Sequence, residues 1–153
     1  SGQVVTAGTS GAPTWAAGAR RSTILFGANT PNLTSGTFFY AAGMAGGTVA
    51  PNQMLLPYAG IARNLFVEVT AVPGGGTSSG GTAVCTLVRA GVNSALTATI
   101  GSTQTTASDT ANSTTFTAGQ AWSIEVIGST GSVGSTGFAP SQFHGAFEYE
   151  ATA

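Results

Sequence analysis

The stretch GIARNLFVEVTAVPGGGTSSGGTAVCTLVRAG, residues 60–91, sets two alternating apolar runs on either side of a loop built almost wholly from Gly, Ser and Thr. In the first run, residues 61–71, Ile61, Leu65, Val67 and Val69 fall largely on one parity, while Phe66, Glu68 and Thr70 fall on the other. A period of two marks a strand whose side chains point alternately to opposite faces. The second run, residues 82–90, sets Val84, Thr86 and Val88 on one parity and Cys85, Leu87 and Arg89 on the other. Both of its faces are apolar, so one is expected in a sandwich core and the other against protein.

Short strand candidates continue on either side. Residues 22–26 (STILF) and 37–41 (TFFYA) are separated by GANTPNLTSG, which is dense in turn formers. Residues 48–50 are a minor candidate, and Pro51 and Pro57 exclude a long helix there. Residues 94–100 (SALTATI) pair with the second run across a tight turn around Gly91, and residues 114–117, 121–127 and 143–150 complete the set. In the last of these Phe143, Gly145, Phe147 and Tyr149 alternate with His144, Ala146, Glu148 and Glu150.

Roughly eight to ten short strands, Gly- and Thr-rich loops and no helical period predict an all-β antiparallel sandwich. An eight-stranded jelly roll fits best, with an immunoglobulin-like sandwich as the competitor, although the Cys, Trp, Cys spacing of true immunoglobulin domains is missing. Residues 1–19, small, polar and glycine-rich, read as an extended N-terminal arm ahead of a single sandwich domain over residues 20–153. The arm is either a flexible tail or a segment anchored on a neighbouring subunit through Trp15.

Composition narrows the function. Of 153 residues only 6% are charged, against roughly 25% in an ordinary globular domain, while 42% are hydrophobic. The formal net charge is -1 and there is no lysine, so the chain offers no electrostatic footprint for nucleic acid or for an anionic membrane. Weak self-repulsion permits close association of identical subunits. No apolar run is long enough to cross a bilayer as a helix. Cys85, the only cysteine, can form no intramolecular disulfide and reads as a buried thiol.

Chemistry-bearing residues are sparse. His144 is the only histidine and is expected on an exposed or interface face rather than as a catalytic base. Asp109 lies in TTASDTAN, read as a turn in which its carboxylate caps backbone N–H groups. Glu148 and Glu150 share one face of the terminal strand, but a general acid needs a cleft and a raised pKa, which a wet strand face does not supply. One His and one Cys do not assemble a metal site, and GGGTSSGG and GSTGSVGSTG lack the lysine and the strand-to-helix setting of a phosphate loop. No enzyme activity and no cofactor are expected. The sequons at Asn32 and Asn112 are patterns that Asn-, Ser- and Thr-rich chains produce by chance. Trp15, Tyr40, Tyr58 and Trp122 are possible sugar-stacking surfaces, which keeps a glycan-binding module as an alternative, although Trp122 reads as core.

From Gly60 to residue 132 the chain resembles structural proteins of tailed bacteriophages. The resemblance lies in Gly60, Arg63, Asn64 and Leu65 (G-x-x-R-N-L), in the turn at Val92 and Asn93, in Ser108, Asp109, Thr110 and Asn112 (S-D-T-x-N), and in the turn Ala118, Gly119 and Gln120. It implies a virion protein with a jelly-roll-like sandwich, often a homotrimer, serving as a capsid decoration (cement) protein or as a head- or tail-fibre module. A decoration protein would sit on the capsid exterior, bind the major capsid protein, and pass through the host cytoplasm during assembly. A fibre module would instead bind a host receptor or glycan. Candidate oligomer or capsid contacts are Trp15, Phe38, Phe39, Arg63, Phe66, Leu87 and His144, with Arg63 in either an interface or a structural hydrogen-bonding role.

Overall fold

The computed structural model describes residues 3–7, 13–17, 20–29, 36–41, 44–46, 53–73, 81–129 and 142–152. They form twelve strands: β1 (Gln3–Ala7), β2 (Pro13–Ala17), β3 (Arg20–Asn29), β4 (Gly36–Ala41), β5 (Met44–Gly46), β6 (Met54–Leu55), β7 (Gly60–Val69), β8 (Thr82–Arg89), β9 (Val92–Ile100), β10 (Thr106–Phe116), β11 (Ala121–Ser129) and β12 (Gln142–Ala151). One layer is ordered β10-β7-β12-β3, the other β5-β4-β11-β8-β9 with β6 beside β11, and every pairing is antiparallel. The chain is therefore an all-β antiparallel sandwich. β1 and β2 form a separate two-stranded ribbon.

The main strands pair in reverse chain order: β8 with β9, β7 with β10, β4 with β11 and β3 with β12. The tip of this long double strand is the two-residue turn Ala90-Gly91, with φ of 48° and 80°. Positive φ at both positions gives the twist that a tight hairpin needs. The expected pairing of residues 94–100 with the second apolar run is what the structure contains.

Alternating side chains of the two layers meet in one core. Leu65, Val67, Val69, Phe143, Phe147 and Phe26 come from one layer, and Cys85, Leu87, Leu96, Ile100, Trp122 and Ile124 from the other. Trp122 stands edge-on to Phe147, with centroids 5.1 Å apart and planes at 80°, and Phe26 flanks both rings. The edge-to-face arrangement sets the positive rim of one ring against the negative face of the next. Gly145 backs this cluster, because a Cβ there would strike the Phe66 carbonyl and stand 2.5 Å from Phe26 Cζ.

Two expectations from alternation are corrected. Leu87, expected at a partner contact, is fully buried in the core opposite Ile124. Thr86 and Val88 occupy the other face of β8 and are buried as well, as are Ser123 and Glu125 beside them on β11. Two apolar faces on one strand leave alternation unable to choose between them. In β7 the core parity belongs to Ala62 rather than Ile61 up to the middle of the strand.

An irregularity at Asn64 causes that switch. Arg63 pairs with Glu148 and Phe66 with Ala146, so Asn64 and Leu65 together oppose the single residue Phe147, and Asn64 has φ of 53°. This is a β-bulge, which lets Ala62 and Leu65 both point inward although they are three residues apart. On the other side of β7, strand β10 bulges too: Asp109 pairs with Leu65 and Ser113 with Arg63. Asp109 holds this second bulge. Its Oδ1 accepts the amides of Ala111 and Asn112, and its Oδ2 accepts the Asn112 side-chain amide and, from the other layer, the Thr97 amide at 2.9 Å. The segment read as a turn is thus a bulged strand, while the capping role read for Asp109 holds.

Burial by itself would raise the Asp109 pKa. Hydrogen bonds from Thr97, Asn112 and Ala111 outweigh it and hold the carboxyl below its usual value. The stabilisation is therefore complete above about pH 4, the unfolded Asp value, and is lost as pH falls through the lower folded value. Asp109→Asn should cost about 1.5–3 kcal/mol near neutral pH, the range for hydrogen bonds to a charged group. In urea unfolding the gap between wild type and variant should close as the pH drops well below that of free Asp. A gap that ignores pH would place the stabilisation outside the carboxylate.

Candidate functional site

The outer face of the four-stranded sheet gathers six of the chain's ten Arg, Asp, Glu and His side chains. Its rows follow from the register across β3, β12 and β7. Arg21 lies opposite Glu150, and Thr23, Glu148 and Arg63 form the next row. Leu25, Ala146 and Phe66 form the third, and Gly27, His144 and Glu68 the fourth. The bulge at Asn64 lets Arg63 and the Asn64 side chain reach the same carboxylates. Arg63 pairs with Glu150 and, at 3.6 Å, with Glu148, and Asn64 Nδ2 donates to Glu148 Oε2 at 2.9 Å. Arg21 Nε lies 3.2 Å from Glu150 Oε2, and His144 Nε2 lies 3.2 Å from Glu68 Oε2.

The third row differs from its neighbours. Leu25 is 71% exposed and Phe66 41%, so an apolar bar crosses the sheet between the Arg63–Glu148 row and the His144–Glu68 row. Exposed ion pairs contribute little stability each, commonly under about 1 kcal/mol, but they hold side chains in place. An apolar centre with a polar rim is the layout of a protein contact surface. Glu148 and Glu150 both bind guanidinium or amide groups on this open face, and they do not oppose one another across a cleft.

Three of the candidate contact residues, Arg63, Phe66 and His144, come together here. For Trp15, Phe38 and Phe39 the backbone is placed in β2 and β4, and their side chains lie outside the described residues. Arg63 has the structural hydrogen-bonding role considered for it. Leu25 was missed: STILF reads as one apolar run, and only the register with Ala146 and Phe66 assigns Leu25 to the outer face. Arg21, Asn64, Glu148 and Glu150 join the site by the same register, which sequence spacing does not supply.

The remaining candidates are structural. Asn93 Nδ2 donates to Glu125 Oε2 on the outer side of the second layer. Gln120 Oε1 accepts the Thr117 amide and closes the turn in which Gly119 has φ of 78°. Gly60 lies under Tyr149, whose hydroxyl donates to the Tyr58 carbonyl at 2.6 Å, and a Cβ at Gly60 would stand 2.6 Å from the Tyr149 ring. The G-x-x-R-N-L, S-D-T-x-N and A-G-Q residues thus build the bulges and turns that hold the face in place. Trp122 is core, Tyr58 is exposed, and Asn112 is engaged by Asp109; Tyr40, by its side chain, and Asn32 lie outside the described residues. Among the described residues no three His, Cys, Asp or Glu side chains converge as a metal site would require.

Cys85 is buried against Val126, and desolvation pushes its thiol up to about 12. Since the thiolate is the reactive form, the folded protein should fail to react with DTNB at pH 8 and should release one equivalent per chain in denaturant. Rapid reaction of the native protein would contradict this burial.

Neither protein-family models nor curated protein sequences give a match to this chain.

Proposed function

We propose that the sandwich is a jelly roll and that the chain is a bacteriophage virion structural protein, a decoration protein that binds the assembled capsid shell as a homotrimer. The strand order supports the first part. The layers β3-β12-β7-β10 and β4-β11-β8-β9, made from a double strand paired in reverse chain order, follow the two interleaved Greek keys of that fold.

The observation that carries the second part is the exposed Leu25–Ala146–Phe66 bar between polar rows. It is a rigid contact surface without an opposed acid and base, as suits a protein that works by adding contacts. The resemblance to tailed-phage structural proteins supplies the partner, the major capsid protein. Three linked copies would turn weak single contacts into firm attachment, since binding of the second and third is intramolecular. No enzymatic step enters this reading.

Shells lacking this protein should rupture at a lower temperature than shells to which it has been added back, and scanning calorimetry of the two preparations reads the difference. Equal rupture temperatures, together with saturable binding to host cells or glycans, would replace the decoration role with a fibre role.

A further inference from the structure

We propose that the free edge of β3 accepts an extended segment of the partner as an added strand, with an acidic residue beside Arg21 and a bulky apolar residue beside Leu25. The inference rests on reading the β3, β12 and β7 face as the contact with the shell, and it names the chemistry of what docks there.

A strand at the edge of a sheet presents unpaired N–H and C=O groups, and natural sheets blunt such edges with bulges, charges or short strands. Among the described residues the edge strands of the two layers are β3, β10, β5 and β9, and all but β3 are blunted. β5 has only three residues. β10 is bulged between Asp109 and Ser113, and β9 shifts register against β8 between Asn93 and Thr97. These two edges also close on one another, since Asp109 Oδ2 accepts the Thr97 amide. In β3 all ten residues pair with β12 without a register shift, there is no proline, and no charge occurs from Ser22 to Asn29. Residues 20–23 and Leu25 are exposed, so this half of the edge is open to solvent.

The side chains along that edge specify the added strand. Arg21 and Leu25 lie four residues apart on the outer face, with Thr23 between them. The Arg21 side chain stays 67% exposed although it pairs with Glu150. A carboxylate one strand spacing away, about 4.8 Å, meets this guanidinium. The residue four positions along the same segment then lies beside Leu25 and lengthens the Leu25–Ala146–Phe66 bar without covering it. Main-chain hydrogen bonds supply affinity in such a strand addition, and the alternate side chains supply specificity. A second copy of this chain fits less well. Its β1 and β2, of five residues each, pair with one another, and its long open edge is β3 itself. Pairing β3 with β3 uses the same patch on both copies and closes as a two-fold dimer, not as the proposed trimer. The donor is therefore a segment of the capsid protein.

Two experiments on the full-length protein test this. In the first, hydrogen–deuterium exchange is compared between free protein and protein bound to shells that lack it. Open-edge amides in residues 20–26 should exchange roughly tenfold more slowly in the bound state, as main-chain pairing requires. Bound protein with unchanged exchange there would overturn the strand addition. In the second, a ten-residue Thr/Val peptide carrying one glutamate and one leucine four positions apart is titrated into isotopically labelled protein. Amide shifts should concentrate on β3, and a peptide with lysine in place of the glutamate should bind roughly fivefold more weakly. Arg21→Gln should erase that preference. Absence of binding, or equal binding of the two peptides by wild type, would overturn the proposal, as would a two-fold dimer of isolated protein with β3 already protected. Peptide capture along β3 without attachment to shells would uphold the added strand and remove the decoration role; attachment that leaves the β3 amides unprotected would do the reverse.

Discussion

The carboxylate of Asp109 is the constraint on which the architecture turns. It accepts amides from its own bulge in β10 and from Thr97 in β9, and so fastens the edges of the two layers at the point where the chain passes from one to the other. The β10 bulge sits across from Arg63 and Leu65, opposite the irregularity in β7. With both strands bulged at one level, Leu65 turns into the core while Arg63 and the Asn64 side chain turn to the carboxylates of β12. A buried acidic group thus holds one of the two bulges that meet at this level of the sheet. A bulge that re-aims side chains in this way is a common device beside functional surfaces.

Much of this was legible in the sequence where one face was apolar and the other polar. Residues 143–150 are the clearest case: Phe143, Phe147 and Tyr149 are buried and His144 is exposed, as their alternation requires. The pairing of residues 82–90 with residues 94–100 was also readable, because Gly91 marks a tight turn between two strand-forming runs. Legibility failed where that contrast vanished. In β8 both parities are apolar and both are buried, so Leu87 could not be assigned a face. In β10, Ser108, Asp109, Thr110 and Asn112 have the composition of a turn, yet Ser108 and Asp109 pair with β7 while Thr110 and Asn112 fall in the bulge of a continuing strand. The parity of β7 changes at Asn64, and no periodicity can anticipate a bulge that depends on two neighbouring strands.

The contact face was harder to read than the core for a related reason. Phe66 stands out on a parity shared with Glu68, but Leu25 lies within an apolar run and Ala146 attracts no notice. Only the register places these three in one row and sets the charged residues around them. A chain with 6% charged residues that concentrates Arg21, Arg63, Glu68, His144, Glu148 and Glu150 on one face has a defined rim there. Outside this group the described Thr- and Ser-rich surface adds Arg20 and Arg89 as its exposed or part-exposed charges.

A moderate-resolution map of the native particle tests the central claim most directly. The account predicts this chain at three-fold positions on the outside of the shell, with the β3, β12 and β7 face buried in a protein contact. Copies found only at the tail, or on the shell with Leu25 and Phe66 bare to solvent, would contradict it.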